Sequence, residues 1–541
     1  MPTPSSSGRR TGRAALLVAL GILLSRLAGL VRQRVFGRYL GLSEAADAFT
    51  AALRIPNFLQ NLFGEGILSG SFIPVYARLL AEEREEEAGH VASVVASLLT
   101  LVVGLGTVLG VALAPWIVLA IAPGFSGEVH ELTVRLVRVV FPGIGLLVLA
   151  AFCLGVLNSH RRFFNSYVAP VLWNAAIIAF LVAFGHHAAF GREGRFTLVV
   201  WVGWGTVVGA ALQLGLLLPT TLRLLHRHKS RLRPSLSVAS PEVRSVLRSF
   251  VPVVASRGVV QISAFIDQAL ATLIGAGANA AMGYAQTIYL IPISLFGMSI
   301  SAAELPEMAR ATGTGTEVAA ALRERLAQGL SRLAFLVVPS AVAFLLLGDL
   351  VVGALFQTGA FRSDSTRFVW LILGGSTVGL LASTESRLFS SAFYALRDTR
   401  TPLRFALLRV GLASLLGAAS AMAAMRGLWP AEWGTAGLTA SAGLAGWLEF
   451  FLLERALRRR LGPFTVGGIG LLLKWGAALV AGGVVFGLGR LLPGGHPILR
   501  GGLLLGLYGG LYLGATVLLG VPEARSLWER LGRRLGRRLR R

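Results

Sequence analysis

The sequence predicts an all-α polytopic membrane protein of about 14 transmembrane helices. They form two parallel six-helix lobes related by pseudo-twofold symmetry, followed by two C-terminal helices. Three observations predict it. The 541 residues are 54% hydrophobic and only 14% charged, where a soluble protein would carry roughly 25% charged residues. The apolar runs are continuous, long enough for spans of about 20 residues, and do not alternate with period two, which selects helices over a barrel. A repeat with nearly constant offset links the two halves of the chain.

In chain order, residues 1–13 are Ser-, Pro- and Arg-rich and read as a disordered basic N-terminus. The run that follows is too long for a signal-peptide core and has no convincing small-residue cleavage site, so it is a retained first span. Residues 14–225 hold spans 1–6 and form the first lobe. Residues 226–242 are a basic linker, and 243–457 hold spans 7–12 as the second lobe. Spans 13 and 14 occupy 464–520, and 521–541 form a basic tail. Some boundaries are soft, leaving twelve to fourteen spans.

The repeat carries the lobe assignment. Leu62-Phe63-Gly64, Ser69, Pro74, Ala77 and Arg78 match Leu295-Phe296-Gly297, Ser301, Pro306, Ala309 and Arg310. Upstream, Ile55-Pro56 matches Ile291-Pro292, and Ser25-Arg26 matches Ser256-Arg257. A repeat of six helices returns the chain to the same side, so the halves are parallel, with their axis along the membrane normal. Pro56, Pro74, Pro292 and Pro306 mark bends at matching places.

The net charge of +25 follows topology rather than nucleic-acid binding. With the N-terminus inside, the inside loops hold Arg161 and Arg162, Arg223 to Arg233, Arg397 to Arg404, and Arg455 to Arg460. The outside loops 122–130 and 274–282 have no Lys or Arg. Both termini are therefore expected in the cytoplasm.

Charge inside the spans points to function, because an ionisable group at mid-membrane marks a cavity, a partner or a pathway. Arg26 and Arg32 lie in the first span. Asp47, Arg54, Asn57 and Glu65 lie in the second, with Asp47 and Arg54 on one face. Guanidinium suits phosphate because it stays charged and presents a planar donor fork. Arg26, Arg32 and Arg54 are read as lining an electropositive cavity for an anionic headgroup, balanced by Asp47 and Glu65. Arg34 and Arg38 are read as snorkelling at a membrane edge. Arg257 and Asp267 lie in the seventh span. Asp267 either binds a cation such as Na⁺, carries a proton, or pairs with Arg257. Glu385 and Arg387 are expected to pair locally, and Glu449 and Glu454 to be structural.

Catalytic signatures are missing from the sequence. There is no P-loop and no HExxH, and the His residues mostly fall in loops. The lone Cys153 sits in an apolar segment and reads as packing. A transporter with no resident cofactor or metal is expected, not an enzyme. Metal-binding acidic clusters such as DDxxD, which an enzyme acting on polyprenyl phosphates would need, are not found. An acidic cavity, which a drug-cation exporter would need, is not found either.

SRLAGLVRQRVFGRYLG, AADAF, RIPNFLQNLFGEGILSGSFIPVYAR, APGF at 122–125, FQTGAF at 356–361 and AFYALRDTRTP at 392–402 resemble the MurJ (MviN) family of lipid II flippases, in the multidrug/oligosaccharidyl-lipid/polysaccharide exporter superfamily. The resemblance runs from about residue 14 to 520 and is most specific over 20–78. It implies two six-helix lobes, a lipid-tail groove formed by the last two spans, and a cytoplasmic (inner) membrane location in a bacterium. It further implies flipping of lipid II from inner to outer leaflet by alternating access, for cell-wall synthesis.

The implied substrate-binding set is Arg26, Arg32, Asp47, Arg54, Asn57 and Glu65, with Arg257 as a further charge. Asp267 and, more weakly, Asp398 are the implied ion-coupling residues, for Na⁺ or H⁺. The implied partners are lipid II and membrane lipids, with the protein monomeric. The sequence departs from the family pattern at Gln60 and Thr287, where some members carry basic residues. Another exporter of the superfamily, for a different polyprenyl-linked precursor or a drug, is the alternative.

Overall fold

The apolar runs fold as helices in a computed structural model that describes residues 7–59, 68, 70–160, 162–227, 232–310, 315–464, 467–491 and 494–529. By internal contacts the chain divides into two compact units. The first is Met1–Ala280 with Thr358–Phe361, and the second is Ala281–Gln357 with Arg362–Arg541.

The first unit contains α1 (Ser7–Leu40), α2 (Glu44–Leu59), α3 (Ile73–Ala81), α4 (Glu85–Ala112), α5 (Ala114–Ile121), α6 (Gly127–Ser159), α7 (Phe163–Phe184), α8 (Gly191–Arg227) and α9 (Pro241–Ile274). α6 packs on α2, α4 and α8, and α7 packs on α1 and α8. α6 is the central helix: it starts after Ser126 in extended backbone, carries Pro142 internally, and buries Leu136, Val140, Ile144, Leu147 and Phe152.

The contact units are not the repeat units, because α9, the first helix of the second repeat, packs on α2, α4 and α5. Local reasons are visible. The segment before α9 runs along α4, with Arg233 N–H donating to Ser93 Oγ (3.1 Å) and Ser235 N–H to Ser97 Oγ (3.1 Å). Arg84 bonds Glu242 at 3.0 Å. At the other end of α9, the Gly124 N–H donates to Thr272 Oγ1.

α10 (Ala278–Pro292) begins where the first unit ends. The second unit continues with α11 (Ser299–Ala309), α12 (Gly315–Leu346), α13 (Gly348–Phe356), α14 (Ser363–Thr377), α15 (Leu380–Ala395), α16 (Arg400–Met425), α17 (Ala431–Leu461), α18 (Ile469–Leu491) and α19 (Pro497–Leu518). Its core joins Leu326, Leu330 and Leu333 of α12 to Phe389 and Phe393 of α15 and Phe450 and Leu453 of α17. α18 rests on α12, and α19 on α13 and α18. A short helix at 522–529 follows α19.

The repeat is visible in local geometry. In the first half, the described residues 70–72 form a wide π-type turn that leads into α3. In the second, Ile293–Met298 form a π segment between α10 and α11. Such bulges are rare in helices and cluster at functional sites.

The outer surfaces are apolar where a soluble protein would be polar. The α4 window has mean hydropathy 2.4 yet only 22% of it is buried, and Leu101, Leu105, Val108 and Trp116 are exposed. Surface of that kind requires lipid. Among the described residues, nine helices are long and apolar enough to cross a membrane, or up to ten if the bent pair α14–α15 is one span. One of the nine, Val168–His226, contains both α7 and α8, which pack on each other. α9 contributes a shorter apolar stretch, Gln261–Ile274. The protein is an all-α polytopic membrane protein.

Candidate functional site

Arg26 and Arg32 both project from α1. Arg26 is exposed and Arg32 half-buried. The Arg32 guanidinium stands over the Trp173 ring of α7, 4.9 Å from its centroid, a cation–π contact that fixes the fork's plane. Beside it, Trp173 Nε1 and Asn174 Oδ1 are buried and make no hydrogen bond to the described residues, while Asn174 Nδ2 donates to Pro170 O at 2.9 Å. A cation, an unused donor and an unused acceptor are thus grouped where α1 meets α7. Burying polar atoms in this state is costly unless a ligand or water meets them. Trp173 and Asn174 carry no sequence signal beyond being polar in an apolar run.

Arg54 of α2 crosses to α9. Its Nη2 donates to Ala264 O at 2.8 Å, and Asp267 acts on it electrostatically. The sequence left Asp267 to a cation, a proton or Arg257, and did not name Arg54; the Arg257 side chain lies outside the described residues, as do the Asn57 side chain, Gln60 and Glu65. Thr287 donates to Gly283 O of its own helix at 2.9 Å.

Asp47 and Asp398 are placed differently from what the sequence suggested. Asp47 is 1% exposed. Its Oδ1 accepts the Ala280 N–H at 2.7 Å, its Oδ2 accepts the Gly277 N–H, and its backbone oxygen accepts Asn279 Nδ2 at 3.1 Å. It therefore caps the start of α10, with its carboxylate buried. Asp398 lies in the turn between α15 and α16. It accepts the N–H groups of Arg400 and Thr401 (3.0 Å each), the Thr401 hydroxyl (2.7 Å) and Arg460 (2.6 Å). A shell of donors is the opposite of a cation's oxygen shell, so Asp398 is a helix cap. The Thr401 hydroxyl, its N–H and Arg460 hold this carboxyl down to about 2. Among the described residues no group of three or more His, Cys, Asp or Glu could hold a metal.

Sequence reasoning passed over Lys474 and Arg409, each a lone cation in an apolar run, which is the signal that could have found them. Lys474 of α18 is 2% exposed and bonds Ser331 and Glu523. Arg409 of α16 pairs with Glu449 of α17 at 3.2 Å. Glu385 and Arg387 do not pair locally: residues two apart on a helix face opposite ways, and Glu385 is buried while Arg387 is exposed.

The family profile described as "MurJ: Lipid II flippase MurJ" matches residues 36–496. The chain belongs to the MurJ lipid II flippase family. Among MurJ relatives, a probable lipid II flippase MurJ from Rhizobium tropici is 32% identical over 452 residues, covering 81% of this chain and 79% of the relative. The lipid II flippase MurJ of Burkholderia cenocepacia is 30% identical over 451 residues, covering 83% and 84%. In fold, the chain is similar to a solved lipid II flippase MurJ in an inward closed conformation, with TM-score 0.75, 21% identity, and coverage of 93% of this chain and 98% of that one. An inward-facing multidrug resistance MATE transporter of the MOP superfamily gives TM-score 0.61 at 17% identity, covering 83% and 98%.

Proposed function

We infer that this chain is a lipid II flippase: a transporter, not an enzyme, that moves the lipid-linked peptidoglycan precursor across the bacterial inner membrane for cell-wall synthesis. The observation that carries the reading is the MurJ match over residues 36–496, which spans helices whose apolar faces carry Arg54 and, just upstream, Arg26 and Arg32.

The finer reading is a set of fourteen spans in two six-helix lobes plus two, with both termini cytoplasmic, the protein monomeric, and transport by alternating access. Arg26, Arg32 and Arg54 hold the diphosphate through guanidinium forks, with Asn57, Glu65 and Arg257 extending the polar surface. The undecaprenyl tail stays in lipid along α18 and α19. Na⁺ or H⁺ couples at Asp267, where a cation would compete with Arg54 for one carboxylate. A membrane potential contributes ~2.3 kcal/mol per elementary charge per 100 mV, enough to bias the cycle.

The test is complementation of a bacterium depleted of its lipid II flippase, with leaflet-specific detection of lipid II. Rescue with lipid II in the outer leaflet is expected. Verified membrane insertion without rescue overturns the assignment in favour of another polyprenyl-linked substrate. If Arg26→Ala and Arg32→Ala, each correctly inserted, both support growth like the parent, the diphosphate clamp is wrong.

A further inference from the structure

The second unit holds a cation pair that the reading above does not use. Arg387 lies in the middle of α15 and is exposed, while its neighbours Glu385, Ser386, Leu388 and Phe389 are buried. Among the described residues its side chain makes no hydrogen bond or ion pair, but Arg409 of α16, Tyr289 of α10 and Glu449 of α17 all act on it electrostatically. Those groups come from three other helices, so Arg387 lies on the face of α15 turned toward α10, α16 and α17.

The charges do not balance. Arg409 pairs with Glu449 (3.2 Å), which is 7% exposed, and among the described residues that carboxylate is the one anion acting on Arg387. Glu385 cannot help, since it lies on the opposite face of α15, where Lys474 and Glu454 act on it. Tyr289 donates to Ser383 Oγ at 3.4 Å. Ser383 lies one turn before Arg387 on the same face, so its hydroxyl, which can still donate, sits on the arginine side of α15. Gly446 of α17 lies close by: a Cβ there would be in van der Waals contact with Ser383 Oγ, at 3.5 Å.

Depth and access complete the geometry. Asp398 and Arg460 bond at 2.6 Å, so the end of α17 lies beside the α15–α16 turn. At ~1.5 Å per residue, Arg387 and Arg409 lie about 12–14 Å along their helices from that end, and Glu449 about 18 Å. Arg397, Arg400, Arg404 and Arg458 to Arg460 ring the same end. An anion would thus meet a basic rim first and an unbalanced guanidinium pair within the hydrocarbon depth. At that depth an unpartnered arginine is costly, and two planar forks with a hydroxyl donor match the oxygens of a phosphate group.

We propose that Arg387 and Arg409, with Ser383, form a second phosphate-binding station in the second unit, for a diphosphate carried on a polyprenyl chain. Glu449 positions Arg409, and Arg387 contacts the ligand. The lipid identity rests on the flippase reading; the anion site itself does not.

The full chain is placed in nanodiscs of phosphatidylcholine, and binding is measured for undecaprenyl diphosphate, phosphatidylglycerol and inorganic pyrophosphate. Arg387→Gln is expected to weaken undecaprenyl diphosphate about tenfold, the loss of one charge-assisted contact. Arg387→Lys recovers part of it as a point charge without the fork. Since Arg387 has no ion pair among the described residues, Arg387→Gln keeps the parent's thermal stability, whereas Arg409→Gln strands Glu449 and lowers it. Unchanged undecaprenyl diphosphate affinity in folded Arg387→Gln overturns the station. So does phosphatidylglycerol or pyrophosphate binding as tightly as undecaprenyl diphosphate, which would make this a bulk-lipid or free-anion site. Lipid II translocation in proteoliposomes separates the two readings. A parent that translocates nothing while Arg387→Gln still loses affinity removes the flippase reading and keeps the station. A parent and a variant that bind and translocate alike do the reverse.

Discussion

Asp47 and Asp398 are carboxylates filled by N–H and O–H donors, and that shell decides what each can do. Asp47 takes two backbone N–H groups from the start of α10. Asn at this position keeps one acceptor but turns an NH₂ donor toward a backbone donor, so Asp47→Asn is expected to cost about 1–3 kcal/mol, read as a lower melting temperature of the purified protein. Asp398 is the milder case, partly exposed at a helix start, and Asp398→Asn is expected to cost about 1 kcal/mol at neutral pH. Its carboxyl is held down to about 2, below the unfolded value of about 3.9. Its contribution is therefore complete above about pH 4 and lost as the pH falls toward 2. The melting difference between parent and Asp398→Asn should shrink over that window. A difference that stays constant down to pH 2 would mean that the ionised cap contributes nothing. The sequence showed Asp47 as a charge of the second span, and the family resemblance made Asp398 a weaker ion-coupling candidate. It did not show their partners, because Asp47 bonds residues some 230 positions away, and only tertiary contact distinguishes a cap from a ligand.

Elements meet through backbone contacts that composition does not encode. The turn of FQTGAF docks on the end of α1, with the Ala360 N–H donating to Arg38 O at 2.8 Å. Gly359 has φ +56° and a Cβ there would lie 2.3 Å from Arg38 O; Gly41 has φ +55° and its Cβ would lie 2.7 Å from Ala360 O. Left-handed backbone alone costs an L-residue roughly 1–2 kcal/mol, and here the added atom also strikes backbone. Gly427, at φ +70° with nothing within 4 Å, isolates the first effect. Gly359→Ala and Gly41→Ala should each destabilise more than Gly427→Ala in parallel thermal melts; equal losses would show that the turn yields without cost. The duplicated motif was legible at this scale. Pro74 and Pro306 open or bend matching short helices, α3 and α11, behind π-type turns. What the motif could not reveal is that α9 packs with the first unit, since that depends on Ser93 and Ser97 of α4 meeting the linker and on Arg84, just before α4, meeting Glu242 of α9.

Across the whole molecule the apolar runs announced membrane helices, because they are a signal of composition within one segment. Pairings between distant segments were invisible, and Lys474 shows why. It is one lysine in the apolar run of α18, a helix outside the repeat, yet its Nζ donates to Ser331 O and Oγ at 2.8 Å and to Glu523 Oε1 at 3.2 Å. Ser331 Oγ also bonds Glu523. One ammonium therefore ties α18, α12 and the segment after α19 into the second unit. Removing one partner of a buried pair commonly costs ~3–5 kcal/mol, while replacing both with apolar groups of similar volume is often neutral. Glu523 is 16% exposed, so water reaches its side and the single loss should fall at the lower end of that range. Lys474→Met should therefore lower stability more than the double variant Lys474→Met with Glu523→Leu. A double-mutant cycle on melting of the full chain measures the coupling directly. If the two single losses simply add, the ammonium is not the tie, and α18 is held to α12 by apolar packing alone.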